Sequence, residues 1–342
     1  MRRFLVRGFS FSAIFLALLL LLNHFYVRTN GYKSLNGTYK FTEVPEGIQV
    51  ANLGSSHGEF GFDYQDIEGL TCFNFGLRGQ SHQLDLEILK KFKDRLAEGC
   101  TVIIPVSCFS YIQVEDYQNQ HVIYYGILDY GSIPNHNPVE YLRFRLLPIL
   151  SASFNAKYLI RDKKTVEWDI FAGRGEDEEY YKLNGMYYYG LFKDLMERQP
   201  EGANSAGAIE DLIIYCLDNG FKPVLVTTPF TDYYNYWFSG EVYVEFRAAM
   251  SRMSREYGVP YLDYSRDARF RRTFDFFADS DHLNPLGRKV FTRILLRRLG
   301  IVRGGMTKKG AQGRWGGNQN PGSGLHKLDK GPDEGVLEGA WS

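Results

Sequence analysis

Apolar and polar positions along this chain follow three different rhythms. Gly8 to Val27 is twenty residues without a charge, and Ile14 to Leu22 within it is continuously apolar. A run of that length crosses a bilayer as a helix. From residue 47 onward, short apolar runs alternate with longer stretches of helical periodicity. The strand candidates are Gly47–Leu53, Leu70–Phe75, Thr101–Val106, Lys222–Thr228 and Val259–Asp263. The helix candidates are Glu59–Glu68, Ser81–Ala97, Ser205–Asp218, Glu241–Tyr257 and Asn284–Leu299. Ser81–Ala97 gathers Leu84, Leu86, Ile88, Leu89 and Phe92 on its apolar side, and Thr101–Val106 is apolar throughout, as for a strand covered on both faces. Alternation of this kind predicts an α/β fold, a parallel sheet between two helical layers. Ligands in such folds bind beyond the carboxyl ends of the strands. Ser56, Gly79 and Ser107 each follow a predicted strand end and so converge on one rim.

Three segments depart from the alternation. Residues 28–46 read as a polar spacer between the apolar run and the domain at 47–302. From about 109 to 200 the rhythm breaks into an aromatic-rich stretch with Tyr124-Tyr125, Tyr180-Tyr181 and Tyr187-Tyr188-Tyr189. It is too long for a structureless loop and predicts an insertion with helices of its own. Its tyrosines either stack on sugar faces or pack the insertion onto the core. Residues 303–342 include 11 glycines and no apolar periodicity, which predicts a disordered tail.

Charge and cysteine content narrow the classes. Of 342 residues, Lys plus Arg number 40 and Asp plus Glu number 40, so nothing argues for a nucleic-acid surface. Cys72, Cys100, Cys108 and Cys216 lack Cys-x-x-Cys spacing and give no zinc site. A Cys100–Cys108 disulfide and buried free thiols are both open, the apolar surroundings favouring thiols. No phosphate-loop or dinucleotide-binding glycine pattern occurs, and no cofactor is expected. Arg2, Arg3 and Arg7 before the apolar run favour a cytoplasmic N-terminus and an external body. Asn23 to Val27 lacks the small residues of a cleavage site, which favours an uncleaved signal anchor (residues 1–27) over a removed signal peptide.

The chemistry concentrates in two distant segments, Asn52-Leu53-Gly54-Ser55-Ser56-His57 and Asp279-Ser280-Asp281-His282-Leu283-Asn284-Pro285. A serine hydroxyl becomes a useful nucleophile when a base takes its proton, and a histidine with an orienting acid supplies that base. With Phe73-Asn74-Phe75-Gly76-Leu77-Arg78-Gly79 between them, the blocks resemble those of the SGNH (GDSL-type) hydrolase superfamily. That resemblance implies a three-layer α/β/α, flavodoxin-like fold, with Ser56 as nucleophile, His282 as base and Asp279 as its orienting acid. The backbone N–H groups of Ser56 and Gly79 become oxyanion donors, and Asp281 is expected at the start of the last helix. Ser55 stands where the family usually has Asp, a variant similar to the DltD-like and exopolysaccharide acetyltransferase branch. The family's Gly-x-Asn-Asp block is absent, and Ile104-Pro105-Val106-Ser107-Cys108 takes its place, with the Ser107 hydroxyl as a substitute oxyanion donor. His57 is expected as a rim or substrate contact.

The implied activity is an extracytoplasmic serine esterase or O-acetyltransferase acting on acyl esters of a surface polysaccharide. A membrane-bound O-acyltransferase is the implied donor partner. The rival class is a catalytically silent glycan-binding or scaffolding protein, for which the missing block and the aromatic insertion speak.

Overall fold

The computed structural model describes residues 2–302, apart from 113–120, 152–153, 165–168, 176 and 199–202. The predicted tail lies outside the described residues. The helices, in chain order, are α1 (Arg2–Tyr26), α2 (Asn30–Lys33), α3 (Ser56–Glu59), α4 (His82–Phe92), α5 (Cys108–Ile112), α6 (His121–Tyr124), α7 (Pro138–Leu146), α8 (Lys157–Ile160), α9 (Glu178–Arg198), α10 (Ala206–Asp218), α11 (Asp232–Trp237), α12 (Glu241–Tyr257) and α13 (Pro285–Arg298). The strands are β1 (Ile48–Asn52), β2 (Cys72–Asn74), β3 (Leu96–Pro105), β4 (Lys222–Thr227) and β5 (Tyr261–Asp263).

All five strands are parallel, in the order β2-β1-β3-β4-β5. This is the flavodoxin-like order, in which the chain reverses direction across the sheet at β1/β3. The pleat sends alternate residues to opposite faces. Ala51, Val102, Ile104 and Leu225 face a core shared with Leu84, Ile88 and Leu89 of α4, Ile213 of α10 and Met250 of α12. Their alternates Val50, Ile103, Val224 and Val226 are buried as well. Beyond that second face, Phe291 of α13 packs against Phe62, Tyr264 and Phe270. The fold is therefore a three-layer α/β/α sandwich. The compact unit that contains the sheet extends to Leu295.

Several boundaries differ from the sequence expectation for identifiable reasons. No helix forms over 59–68: the Asn74 amide donates to the Gly58 and Glu59 carbonyls at 3.0 Å each, and the Asp63 carboxylate accepts from the Gln65 N–H. With those groups captured, helical bonds cannot propagate, and the only helical turn is the four-residue α3. The helix from residue 82 ends at Phe92, because Leu96 already pairs with Ile48 in β3. The spacer at 28–46 holds regular structure. It carries α2 and a 3₁₀ segment, Leu35–Glu43, whose Phe41 packs on Phe73, Phe75 and Phe92. The four cysteines are free thiols, three of them buried. Within the insertion, Tyr124, Tyr125 and Tyr181 are buried packing residues, whereas Tyr180 and Tyr187 are exposed.

Because β3 is central and Ile104 wholly buried, Ile104→Ala is expected to destabilise the domain by about 2–5 kcal/mol. Val244→Ala, on the exposed face of α12, should stay within about 0.5 kcal/mol. Denaturant midpoints of the two variants check the pair.

Candidate active site

β1 ends at Asn52, and the chain turns through Gly54, at φ 101°, into α3, which begins at Ser56. The turn is pinned from several sides. The Gly54 N–H donates to Asp85 Oδ1 at 2.7 Å, and the Asn52 amide donates to the Gly58 carbonyl at 3.0 Å. A Cβ on Gly58 would sit 2.0 Å from the Leu53 carbonyl oxygen, so this position admits no side chain. Asp85 is held in turn by Gln80 and by His82, whose Nδ1 lies 3.1 Å from it. The loop after β2 closes on α3: the Leu77 N–H donates to the Gly54 carbonyl and the Arg78 N–H to the Glu59 carboxylate. Gly79 follows directly, in the left-handed region at φ 71°.

The second half of the site is a tight loop before α13. The Ala278 N–H donates to the His282 carbonyl, and Asp279 Oδ1 accepts from the N–H groups of Asp281 and His282 at 3.1 and 2.8 Å. Asn284 then caps α13, its Oδ1 accepting from the N–H groups of Leu286 and Gly287 at 3.0 Å each. The segment therefore keeps its own backbone groups satisfied while presenting two carboxylates and one imidazole inward.

The two halves meet. Ser56 Oγ lies 2.8 Å from His282 Nε2, and His282 Nδ1 lies 3.0 Å from each oxygen of Asp279. Asp279 and His282 are buried and Ser56 is half-buried. The expectations for Asp281 and His57 are corrected. Asp281 is buried away from the start of α13, where Asn284 does the capping. Its Oδ2 lies 2.9 Å from His57 Nε2 and its Oδ1 3.2 Å from His282 Nδ1. The single Nδ1 proton goes to Asp279, so Asp281 Oδ1 acts on His282 as a nearby charge without a hydrogen bond of its own. His57 is not a rim residue: the one-turn helix α3 directs it inward, with its ring 5.2 Å from that of His282 and 5.0 Å from Phe230. The Ser107 expectation is corrected too. Ser107 precedes α5 and caps it: its Oγ accepts from the Ser110 N–H at 3.1 Å and its N–H and hydroxyl contact Ser110 Oγ, so the side chain is engaged within the cap.

The insertion supplies groups that no local motif marked. Phe171 stacks on the His282 ring at 4.0 Å and an interplanar angle of 9°. Arg288 grips Asp169 with both terminal guanidinium nitrogens and so fixes the Phe171 loop. Tyr188 Oη donates to Asp279 Oδ2 at 3.2 Å, and Asn184 Oδ1 accepts from the Ser280 N–H and hydroxyl. Contacts of this kind depend on where a long connection folds back, and only the density of aromatic residues hinted at them.

Burial by itself would depress the His282 pKa, but the charges of Asp279 and Asp281 outweigh it and raise the value to about 10. Burial works against the Asp281 carboxylate too, yet the nearby charge of His282 and the charge and hydrogen bond of His57 hold it well below the usual range. Tyr188 is pushed far up by burial and by the same two carboxylates, so it serves as a donor only. His57, Asp281 and His282 also bring one donor atom each within 4.8 Å, the one such trio among the described residues. Both His282 nitrogens are already engaged, so a metal there would displace Ser56 or Asp279.

No protein-family model and no curated protein matches the sequence. Among solved structures, the chain is similar to a Lactobacillus plantarum protein, with 13% identity, TM-score 0.38, and 75% of this chain and 97% of that one covered. It is similar to a variant of an acetyl-xylooligosaccharide esterase from Geobacillus, with 11% identity, TM-score 0.35, and coverage of 76% and 99%. A third is a GDSL-like lipase from Bacteroides thetaiotaomicron, with 10% identity, TM-score 0.32, and coverage of 77% and 95%. At such identities and TM-scores, the functional reading rests on the chain's own geometry.

The raised His282 pKa has a definite sign in stability. Its charged form contributes fully below the unfolded value near 6.5, and that contribution is lost as pH rises through about 10. Imidazole resonances followed by NMR should titrate on the alkaline side of 6.5. Asp279→Asn and Asp281→Asn should each move that titration down, since either removes one neighbouring charge.

Proposed function

We propose that this chain is a membrane-anchored, extracytoplasmic serine acyl-transfer enzyme of SGNH type, an esterase or O-acetyltransferase for acyl esters of a cell-surface polysaccharide. The observation that carries the reading is the line from Ser56 Oγ through His282 to Asp279, with contacts of 2.8 and 3.0 Å. Ser56 Oγ attacks the ester carbonyl while His282 Nε2 takes its proton. Asp279 holds the imidazole through Nδ1 and stabilises the imidazolium that forms. As the first residue of α3, Ser56 has an N–H without a partner inside the helix, and with the Gly79 N–H it receives the oxyanion. His282 returns the proton to the leaving alkoxide. The acyl group on Ser56 then passes to a glycan hydroxyl or to water, with His282 as base again.

The anchor reading is supported by α1, whose span Arg3–Tyr26 is long and apolar enough to cross a membrane. The arginines at its start support an orientation with the body outside. The Gly54-Ser55-Ser56 variant supports the polysaccharide-modifying branch, for which a membrane-bound O-acyltransferase is the fitting donor partner. The rival, a silent glycan-binding protein, has the hydrogen-bonded Ser56–His282 pair against it.

Full-length protein should be labelled at Ser56 by a fluorophosphonate, and Ser56→Ala should abolish the labelling. Wild-type protein that stays unlabelled while folded would remove the catalytic reading. With a small activated ester, Ser56→Ala and His282→Ala should lose similar amounts of rate, because members of such a unit act together. Asp279→Asn should lose up to roughly ten-thousandfold. Asp281→Asn leaves the Nδ1–Asp279 bond in place and should lose far less; the opposite ranking would exchange their roles.

The pH profile follows from the same geometry. Turnover needs neutral His282, and the resting imidazole is held protonated by two carboxylates, so kcat/KM should climb with pH along a limb above 6.5. Removing the Asp281 charge should shift that limb to lower pH.

A further inference from the structure

α7 packs one face inward, with Tyr141 and Phe144 against Tyr125. Its other face presents Val139, Leu142 and Leu146, which are 54, 55 and 69% exposed. These positions are spaced i, i+3 and i+7, so they form one stripe. Further along the insertion, Leu150 is also exposed, and Ile160 of α8 is 88% exposed. Exposed aliphatic residues concentrated in this way mark a surface meant to be covered.

The same segment grips the foot of α1. Asn23 Oδ1 accepts from the Ile149 N–H at 3.1 Å, and Tyr26 Oη accepts from the Asn155 N–H at 3.2 Å. The Tyr26 ring packs on Phe154 at 5.0 Å. Just beyond α1, the Asp162 carboxylate accepts from the N–H groups of Asn30 and Gly31 at 2.7 and 2.8 Å. A 24-residue span is roughly 36 Å long at 1.5 Å per residue. That exceeds a hydrocarbon core of about 30 Å, so the last turn of α1 lies at headgroup depth, and the insertion bonded to it lies there too.

Charge points the same way. Residues 138–164 hold Arg143, Arg145, Lys157, Arg161, Lys163 and Lys164 against only Glu140 and Asp162. Asp162 is committed to the backbone of α2, and Glu140 to Arg143. Aliphatic residues beside a surplus of cations are the composition of a segment that lies in a bilayer interface and favours anionic lipid.

We propose that residues 138–151 and 154–164 form a collar seated in the headgroup region of the membrane around the foot of α1, with anionic phospholipid as its ligand. This rests on the reading of α1 as a transmembrane anchor. The collar makes the domain a surface-bound body with a fixed tilt, in place of one swinging on a tether. It also engages the insertion that carries Phe171 and Tyr188, so the same element touches both lipid and the active site.

The test uses full-length protein in vesicles of phosphatidylcholine with or without phosphatidylglycerol. An environment-sensitive fluorophore is attached at Leu142→Cys, Leu146→Cys or Ile160→Cys, with Leu18→Cys in α1 and the exposed Tyr236→Cys on α11 as references. The native thiols Cys100, Cys108 and Cys216 are buried, with pKa values pushed up to about 12, and the half-buried Cys72 is removed as Cys72→Ser in every variant, so an introduced exposed cysteine labels first. Labels at 142, 146 and 160 should shift to the blue and be quenched by lipid brominated near the top of its acyl chains, while the label at 236 stays water-like. The quenching should increase with phosphatidylglycerol, and Arg143→Glu with Arg145→Glu should remove that increase. A quenched label at 18 with water-like labels at 142, 146 and 160 would overturn the collar and leave the anchor standing. A blue shift that brominated lipid does not quench would overturn it in favour of a protein partner. An unquenched label at 18 would remove the anchor and the collar together.

Discussion

Two carboxylates and two imidazoles share one buried pocket, and the molecule is arranged around keeping that charge compensated. Asp279, Asp281, His57 and His282 are all buried, where an unpaired charge would be far more expensive than any single hydrophobic contact could offset. Each group is therefore fixed by what neutralises it. Asp279 accepts two backbone N–H groups and the His282 ring, and Asp281 is divided between the two histidines. His282 is left with one nitrogen pointing at Ser56. The direction of the reactive nitrogen follows from electrostatic necessity on the other side of the ring. The parallel sheet serves the same end: β1 delivers Ser56 to the rim at which the loop before α13 also arrives.

The sheet was legible because its causes are local. β1 and β4 are short apolar runs ending in turn residues, each within a residue of its expected place at either end, and β3 contains the expected apolar run but begins five residues earlier. The pairing of Ser56 with His282 and Asp279 was legible as well, through the resemblance of three spaced blocks. Other parts were hidden because their causes are distant in sequence. The absence of a helix over 59–68 depends on the Asn74 amide capturing carbonyls of α3. The inward turn of His57 depends on a carboxylate 224 residues away. Ser107 reads like any serine after a strand until its bonds to Ser110 show a helix cap.

The insertion illustrates the same division. Its existence followed from length and broken periodicity, and most of its tyrosines among the described residues are buried or half-buried, packing as amphipathic rings do. What could not be read was that Phe171 returns to lie flat on the His282 imidazole, or that Tyr188 reaches Asp279. These contacts span about a hundred residues of sequence and carry no spacing rule. Stacking at 4.0 Å also covers one face of the ring, which shields the His282–Asp279 bond from water and strengthens it.

That shared construction bears on modularity. In many α/β enzymes a long excursion from the sheet can be trimmed, exchanged or transplanted, because the scaffold holds the reactive groups without it. Here the excursion and the scaffold each hold part of the other's chemistry: Arg288, on the last helix, secures Asp169, and Asn184, on α9, secures Ser280. Recombination that exchanged the 109–200 segment between relatives would therefore exchange the partners of His282, Ser280 and Asp279 as well. The two parts are constrained to vary together, as a single heritable block rather than as a core with an interchangeable accessory.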